Sequence, residues 1–246
     1  LYYAALKYYY RQGFTYIELG DGDELWENRN IEQIKEIHNN VFWLLSLFYN
    51  QNRLYMLYGN HDMVKKRTSF SKKRCHTYLC PNSQCEEPLF PDITFYPGII
   101  LKNERTTQSL YLTHGHQSSL FNSSLWRVNC FLVRYLWKPL EQIGFHDPTS
   151  AAKNYTTKKR SEDRLISWAK RYNRTLITGH THRPRVSSEN SPYYNTGSCV
   201  HPNSITCIEI SDRRISLIKW HIDTREHGIL YVEREEIQSN PLPRHQ

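Results

Sequence analysis

Apolar and polar positions follow two different periods along the first sixty residues, and the order of the periods predicts the fold class. Residues 1–11 are rich in Leu, Ala and Tyr and are followed by Gly13, which predicts a helix with a glycine stop. A β-branched and aromatic run at 14–19 predicts a strand, and apolar residues at every third or fourth position over 31–48 predict an amphipathic helix. A second apolar strand is predicted at 53–58. This order indicates an α/β sheet with its chemistry at the strand ends.

Strands dominate the pattern further along the chain. Three are predicted at 94–101, 109–113 and 174–178. After Gly179 no helical period remains, and the last strands are predicted at 193–194, 205–210, 215–222 and 229–232. The carboxyl-terminal third is therefore expected to be rich in β structure.

The composition is that of a folded protein, with 39% hydrophobic residues and 18 tyrosines in 246 residues. This length suits one large domain or two small ones. The formal net charge of +8 favours a partner that carries negative charge. Charge alone does not decide whether this partner is a nucleic acid, an anionic membrane or a phosphorylated metabolite.

No stretch of about 20 apolar residues is free of charge, because even the most apolar one, 120–140, contains Arg127, Arg134 and Lys138. No transmembrane helix is therefore expected. The first residues carry no signal-peptide pattern and no initiator Met, so the chain is expected to begin inside a longer protein. The six scattered cysteines are expected to be free thiols, which favours a cytoplasmic location.

Four polar turns follow predicted strands, and each contains a glycine and groups that bind metal ions. They read Gly-Asp-Gly-Asp-Glu at 20–24, Gly-Asn-His-Asp at 59–62, Thr-His-Gly-His at 113–116 and Gly-His-Thr-His at 179–182. In each one the strand fixes the backbone and the glycine tightens the turn, so the polar groups are delivered to one crevice at the sheet edge. Carboxylate, amide oxygen and imidazole together suit Mn, Fe or Zn.

These turns, in this order, resemble the motifs of the calcineurin-like metallophosphoesterase superfamily over about residues 14–184. The pattern of that superfamily runs D-x-H, G-D-x-x-[DE], G-N-H-[DE], a His turn and G-H-x-H. The resemblance implies a single α/β domain over 1–246 with four layers (αββα), in which two mixed β-sheets pack face to face with helices outside. It also implies two divalent metal ions, Mn, Fe or Zn with Mn favoured. The implied substrate is a phosphorylated small molecule, a phosphoprotein or a lipid-like phosphoester.

The resemblance also assigns metal ligands residue by residue. It implies a carboxylate at Asp21 that bridges the two metals. The other ligands of the first metal are then Asn60, His114 and His180, and His182 serves the second metal. The D-x-H motif that supplies two more ligands to the second metal is absent from residues 1–20. The first strand is therefore expected upstream of the chain, and the alternative is a broken second site on a metal-poor interaction scaffold.

The implied reaction is hydrolysis of a phosphomonoester or phosphodiester by a hydroxide that bridges the two metals. His61 stands at the position of the family's catalytic histidine and is expected to act as general acid, while Glu24 stands at the position of the acid that orients it. The sequence contains no G-x-S-x-G nucleophile elbow and no Walker-type phosphate loop, in agreement with a reaction that needs no covalent intermediate.

Four further polar residues lie beside these motifs. Asp23 and Asp62 are expected to cap helices, which is the more common role of acids next to turns. His116 is expected either to contact the substrate or to shape its turn. Arg183 is expected either to bind a phosphate of the substrate or to pair with a surface acid.

Two insertions complete the prediction. Residues 63–92 include six basic side chains within 65–74 and are expected to form a loop-like, solvated insertion, with nuclease activity as the less favoured alternative. Residues 118–160 are expected to form a helical cap. Its apolar segment 119–144, widened by Trp126 and Trp137, is expected to be covered by the core or by a partner subunit, or alternatively to act as a lid over the metals.

The run from Gly20 to Trp26 and the helical insertion are similar to the branch of UDP-diacylglucosamine hydrolases. The similarity is partial, because that branch has His-Gly-Asp where this chain has His114-Gly115-His116. The substrate of that branch is therefore not implied.

Overall fold

The computed structural model describes residues 1–25, 30–104, 108–118, 155–188 and 191–242, and in this part of the chain the two sequence periods produce a mixed α/β fold. The described helices are α1 Tyr2–Arg11, α2 Ile31–Ile37, α3 Asn39–Asn50, α4 Thr68–Arg74 and α5 Tyr155–Arg171. The described strands are β1 Tyr16–Glu18, β2 Leu54–Leu57, β3 Thr77–Leu79, β4 Glu86–Pro88, β5 Phe95–Tyr96, β6 Gly98–Lys102, β7 Ser109–Thr113, β8 Thr175–Thr178, β9 Tyr193–Asn195, β10 Ser204–Ser211, β11 Arg214–Thr224 and β12 Leu230–Pro241. None of the described helices is both long enough and apolar enough to cross a membrane.

The described strands form two sheets that lead into the polar turns. In the first sheet β1, β2 and β5 run parallel, with β2 in the middle. In the second sheet β7, β8 and β9 run parallel, and β6 is antiparallel to β7. Because parallel strands end at the same edge, the turns after β1 and β2 are neighbours, and so are the turns after β7 and β8. A third, antiparallel sheet contains β10, β11 and β12, and β3 pairs with β4.

Alternate side chains of β1 enter two different apolar clusters. Tyr16 packs with Phe48 in the cluster that also holds side chains of α1 and α3. Ile17, on the opposite face of the strand, packs with Ile177 of the second sheet. Leu165 of α5 packs on that second sheet through a further cluster. Burial of these apolar faces fixes the strands from which the polar turns start.

Two predicted elements are divided in the structure. The predicted helix over 31–48 is two helices, because the backbone of His38 leaves the helical region (φ −111°, ψ 31°) and the side chain of Asn40 bonds the amide of Val41. The predicted strand over 94–101 is also two strands, which belong to different sheets. Pro97 separates them, since proline has no N–H to donate to a strand ladder.

The basic segment is not the loop that was predicted. It forms a 3-10 turn, Met63–Lys66, then α4 and the β3–β4 hairpin. Five of its basic side chains are exposed and Lys65 is buried. Of the predicted cap at 118–160, only residue 118 and the start of α5 are described. The predicted lid at 119–144, with Trp126 and Trp137, lies outside the described residues.

Candidate metal and catalytic site

The turns after β1 and β2 lie against each other so closely that two positions accept only glycine. We name residues 20–24 the Asp21 turn and residues 59–62 the Asn60 turn. A Cβ added to Gly20 would stand 2.8 Å from Cα of Gly59, and a Cβ added to Gly59 would stand 2.6 Å from Cγ of Asp21. Gly20 also has a φ of +95°, in the left-handed region that favours glycine. These two glycines therefore allow the carboxylate of Asp21 to reach the Asn60 turn.

Asp21 is joined both to the Asn60 turn and to His114. Its Oδ1 accepts a hydrogen bond of 2.8 Å from the amide of His61, and its Oδ2 lies 2.9 Å from Nε2 of His114. Nδ1 of His114 donates to the carbonyl of Leu19 at 2.7 Å, so Nε2 is the nitrogen that faces the oxygens. Oδ1 of Asn60 also lies 3.2 Å from Nε2. Nε2 of His114 and one oxygen each from Asp21 and Asn60 therefore converge on one point.

His180 completes a group of three residues that could hold a metal ion. One ligand atom from each of Asp21, His114 and His180 lies within 4.8 Å of the others, and the two imidazole rings are 5.0 Å apart. Burial, reinforced by His114, holds the pKa of His180 well below its ordinary value, so this imidazole is neutral. Burial alone would raise the pKa of Asp21, but His114 and His61 hold it well below its ordinary value. A charged carboxylate beside imidazole nitrogens is a donor set that suits a transition-metal ion.

His61 is oriented by an acid from the neighbouring turn. Its Nδ1 contacts Oε1 of Glu24, and the side chain of His61 is mostly buried. Glu24 lies three residues after Asp21, so one short turn supplies both the carboxylate of the candidate metal group and the carboxylate that holds His61. The two functions therefore depend on the same backbone.

Three further predicted residues border this group. His182 lies outside the 4.8 Å group, and burial lowers the pKa of its imidazole to about 4. His116 is 2% exposed, and its ring packs 5.4 Å from that of His114. Arg183 lies 3.6 Å from the buried carboxylate of Glu162. The structure thus gathers four of the predicted site residues around one point: Asp21, Asn60, His114 and His180.

Neither Asp23 nor Asp62 caps a helix of the described part of the chain with its side chain, so the prediction was wrong there; Asp62 stands at the N-cap position of the 3-10 turn Met63–Lys66 but makes no side-chain cap hydrogen bond. Oδ1 of Asp62 accepts a hydrogen bond from the amide of Gly59, and its Oδ2 lies 2.8 Å from Nζ of Lys65. Oδ2 of Asp23 lies 2.7 Å from the same ammonium, and Glu18 lies 3.6 Å from it. A buried ammonium needs carboxylate partners, and this need outweighs helix capping. Burial alone would lower the pKa of Lys65, but Asp23, Asp62 and Glu18 raise it well above its ordinary value.

A second buried acid supports the Gly-His-Thr-His turn. Glu162 of α5 is 3% exposed and accepts a hydrogen bond of 2.7 Å from the hydroxyl of Thr181, which lies between the two histidines of the turn. The side chain of Asn195 donates to the carbonyl of Gly179 at 2.7 Å and to Oγ1 of Thr181 at 3.2 Å. Sequence reasoning missed Glu162, because its role depends on how α5 packs and no motif marks it.

The mixed α/β fold thus places carboxylate and imidazole groups that could hold a metal ion at the ends of parallel strands. The family model described as calcineurin-like phosphoesterase matches residues 11–184, which is more than half of the chain. The chain therefore belongs to the calcineurin-like phosphoesterase family, and the predicted resemblance is confirmed. Membership indicates a phosphoesterase that uses divalent metals and acts on phosphate esters. No curated protein and no solved structure matches the chain significantly.

Proposed function

We propose that this protein hydrolyses a phosphomonoester or phosphodiester with the help of two divalent metal ions, and that His61 is its general acid. The observation that carries the proposal is the position of His61. Its backbone amide bonds Asp21 and its ring contacts Glu24, so a proton-transfer group lies directly beside the candidate metal group. Family membership supports the same reaction class.

The proposed ligands of the first metal are Asp21, Asn60, His114 and His180. Their fit to a cation is supported by the donor atoms, since Nε2 of His114 faces two oxygens and a divalent ion would satisfy all three. His182 and the bridging Asp21 are proposed for the second metal. Mn is favoured over Fe and Zn because oxygen donors accompany the imidazoles. When bound, such ions neutralise phosphoryl oxygens and lower the pKa of a bound water.

Glu24 and His61 are proposed to handle the proton that the leaving group needs. The carboxylate of Glu24 holds the ring through Nδ1 and stabilises positive charge on the imidazole. Nε2 of His61 then gives its proton to the leaving oxygen, which would otherwise depart as an unstable anion. A general-acid step of this kind contributes about 10²–10⁴-fold to the rate.

Arg183 is proposed to bind an anionic group of the substrate, since its side chain is 38% exposed while its ion pair with Glu162 limits its motion. His116 was predicted with two alternatives. Its burial against His114 supports the one in which it shapes the turn, and its contact with substrate remains a prediction.

We extend the proposal to the architecture and the cellular location. The clusters on either side of β1, and the packing of α5 on the second sheet, support the predicted four-layer αββα arrangement. A cytoplasmic location is supported by the described cysteines, all five of which are free thiols.

The proposed function is tested with purified protein that has been stripped of metal by a chelator and then supplied with Mn²⁺. We expect Mn²⁺ to restore hydrolysis of an aryl phosphate, a bis-aryl phosphodiester, or both. Asp21→Asn should abolish hydrolysis and metal binding together, while His76→Ala, at an exposed histidine outside the four turns, should change neither. Absence of both metal binding and turnover in the unaltered protein would overturn the enzyme and favour the interaction scaffold.

A nuclease is the second candidate, and the exposed basic residues of the segment around α4 favour it. These are Lys66, Arg67, Lys72, Lys73 and Arg74. Binding to DNA that weakens steeply with salt, and that disappears when these side chains are neutralised, would support the nuclease. Absence of binding at low salt would remove it.

A further inference from the structure

The ammonium of Lys65 lies in a buried cage of three carboxylates next to the candidate metal site. Its side chain is 1% exposed, and Nζ lies 2.7 Å from Asp23, 2.8 Å from Asp62 and 3.6 Å from Glu18. The ring of Phe95 covers it, with its centroid 5.2 Å from Nζ. Water is therefore largely excluded, and the charge of Lys65 is satisfied by these side chains.

The three carboxylates come from different segments of the chain. Glu18 ends β1, Asp23 belongs to the Asp21 turn, and Asp62 belongs to the Asn60 turn. Asp62 also accepts the amide of Gly59, so its link to Lys65 continues into the backbone of the Asn60 turn. The ammonium therefore bridges two turns that are otherwise held together by the bond from the His61 amide to Asp21 and by the contact of His61 with Glu24.

We propose that Lys65 is a positioning residue that holds the Asp21 turn against the Asn60 turn, so that the metal ligands are assembled before a cation binds. Without the ammonium, Asp23 and Asp62 are two buried like charges that repel each other. Their separation moves Asp21 away from Asn60 and Glu24 away from His61. This inference rests on the proposed function for its catalytic consequence, whereas the contact between the turns exists in the metal-free chain.

The first test measures the contact between the turns without any metal. The amide of His61 donates to Asp21, so its hydrogen-exchange rate in the metal-free protein reports whether the turns are together. We expect Lys65→Met to speed exchange of this amide by about tenfold or more, while amides of β2 stay protected. Lys65→Arg, which keeps the charge, should restore most of the protection. Unchanged exchange at His61 in Lys65→Met would overturn the proposal.

The second test measures Mn²⁺ affinity by titration calorimetry, together with kcat per bound metal. Loss of a side chain that orients metal ligands weakens metal affinity by about 10–100-fold, and we expect Lys65→Met to fall in this range. Lys7→Met, the same substitution at an exposed lysine of α1, should change neither quantity. Wild-type affinity and kcat in a folded Lys65→Met protein would overturn the positioning role.

Two further variants guard against loss of folding. Glu18→Gln combined with Lys65→Met removes one of the carboxylates left unpaired, and we expect it to recover thermal stability without recovering Mn²⁺ affinity. Recovery of both would show that the loss comes from the unpaired charge of Glu18 and not from the missing link between Asp23 and Asp62, and would overturn the proposal. Asp23→Asn keeps the ammonium and weakens its link to the Asp21 turn, so exchange at His61 should increase there too, and an unchanged rate counts against the proposal. If wild type binds no Mn²⁺, the proposed function fails, while the exchange measurement still decides the role of Lys65.

Discussion

The amide of His61 donates a hydrogen bond of 2.8 Å to Oδ1 of Asp21, forty residues earlier in the chain. This bond joins the proposed general acid to the proposed bridging carboxylate. The ring of His61 is then oriented by Glu24, from the same turn as Asp21. In our proposal, metal binding and proton transfer are therefore coupled through the backbone, while different side-chain atoms carry the two functions. Substitutions should separate them.

His61→Ala should lower kcat by about 10²–10⁴-fold and leave the metal content per protein near that of wild type, because His61 is a proton donor and no ligand in our assignment. Glu24→Gln should give a smaller loss, since the amide still occupies the space beside Nδ1. Metal content is measured by elemental analysis and kcat with an aryl phosphate. Our assignment of roles is wrong if His61→Ala loses its metal but keeps its activity per bound metal.

Gly59→Ala should disrupt the metal site by steric overlap alone. The added Cβ would stand 2.6 Å from Cγ of Asp21, so the carboxylate must move away from the Asn60 turn. We expect Mn²⁺ affinity to fall by about tenfold or more. Gly13→Ala is the matched control, because a Cβ there meets nothing within 4 Å. It should cost some stability through its φ of +79° and leave Mn²⁺ affinity unchanged. Equal affinities in the two variants would contradict the proposed closeness of the turns.

His116 should make the metal-free protein sensitive to acid. Burial, reinforced by His114, lowers the pKa of its imidazole to about 3, whereas an exposed histidine in the unfolded chain titrates near pH 6.5. Between these values the unfolded chain binds the proton and the folded chain does not, so stability falls as pH falls, by about 1.4 kcal/mol per pH unit at most. Above about pH 6.5 the effect vanishes.

His116→Gln removes this proton uptake. In the presence of chelator, the free energy of unfolding is measured with urea at pH 5 and pH 6. Between these two values it should fall less steeply for the variant, by about 1.4 kcal/mol per pH unit at most. The same slope in both proteins would mean that His116 is not buried as described. His180 and His182 contribute to the slope in both proteins, so the comparison isolates His116.

Glu162→Ala should destabilise the fold by about 1–3 kcal/mol, because it leaves the buried hydroxyl of Thr181 without its acceptor. Thr181→Val removes the other partner of the same bond. In a double-mutant cycle measured by urea unfolding, the two losses should be less than additive, which is the signature of a direct interaction. Strict additivity would argue that the bond contributes nothing to stability.

The sequence predicted the elements whose signals are local. The strand predicted at 109–113 is β7, and the helix predicted over 1–11 is α1, because apolar periodicity and glycine stops act within a few residues. Local signals also placed the four polar turns at strand ends. The break at Pro97 could have been predicted in the same way, because proline has no N–H to donate. It was missed because the apolar residues on both sides of Pro97 were taken as one strand.

The supporting residues could not be predicted, because tertiary packing decides their partners. Lys65 is one of six basic residues within 65–74, and its local sequence is typical of a solvated side chain. It is buried because Glu18 and Asp23, distant in sequence, join Asp62, three residues before it, around its ammonium. Glu162 is a comparable case on α5. The specific similarity to UDP-diacylglucosamine hydrolases and the interpretation of the helical cap stay predictions.

The candidate metal group draws its members from almost the whole family domain, with Asp21 near its start and His180 near its end. Contacts so distant in sequence form late in folding, since a long loop must close before they contribute any stability. Because synthesis begins at the amino terminus, the growing chain contains Asp21 and Asn60 long before it contains His180. With the ligands that we propose, metal uptake is therefore expected late in the maturation of this protein, and a stalled or truncated chain that ends before His180 lacks one of the proposed ligands.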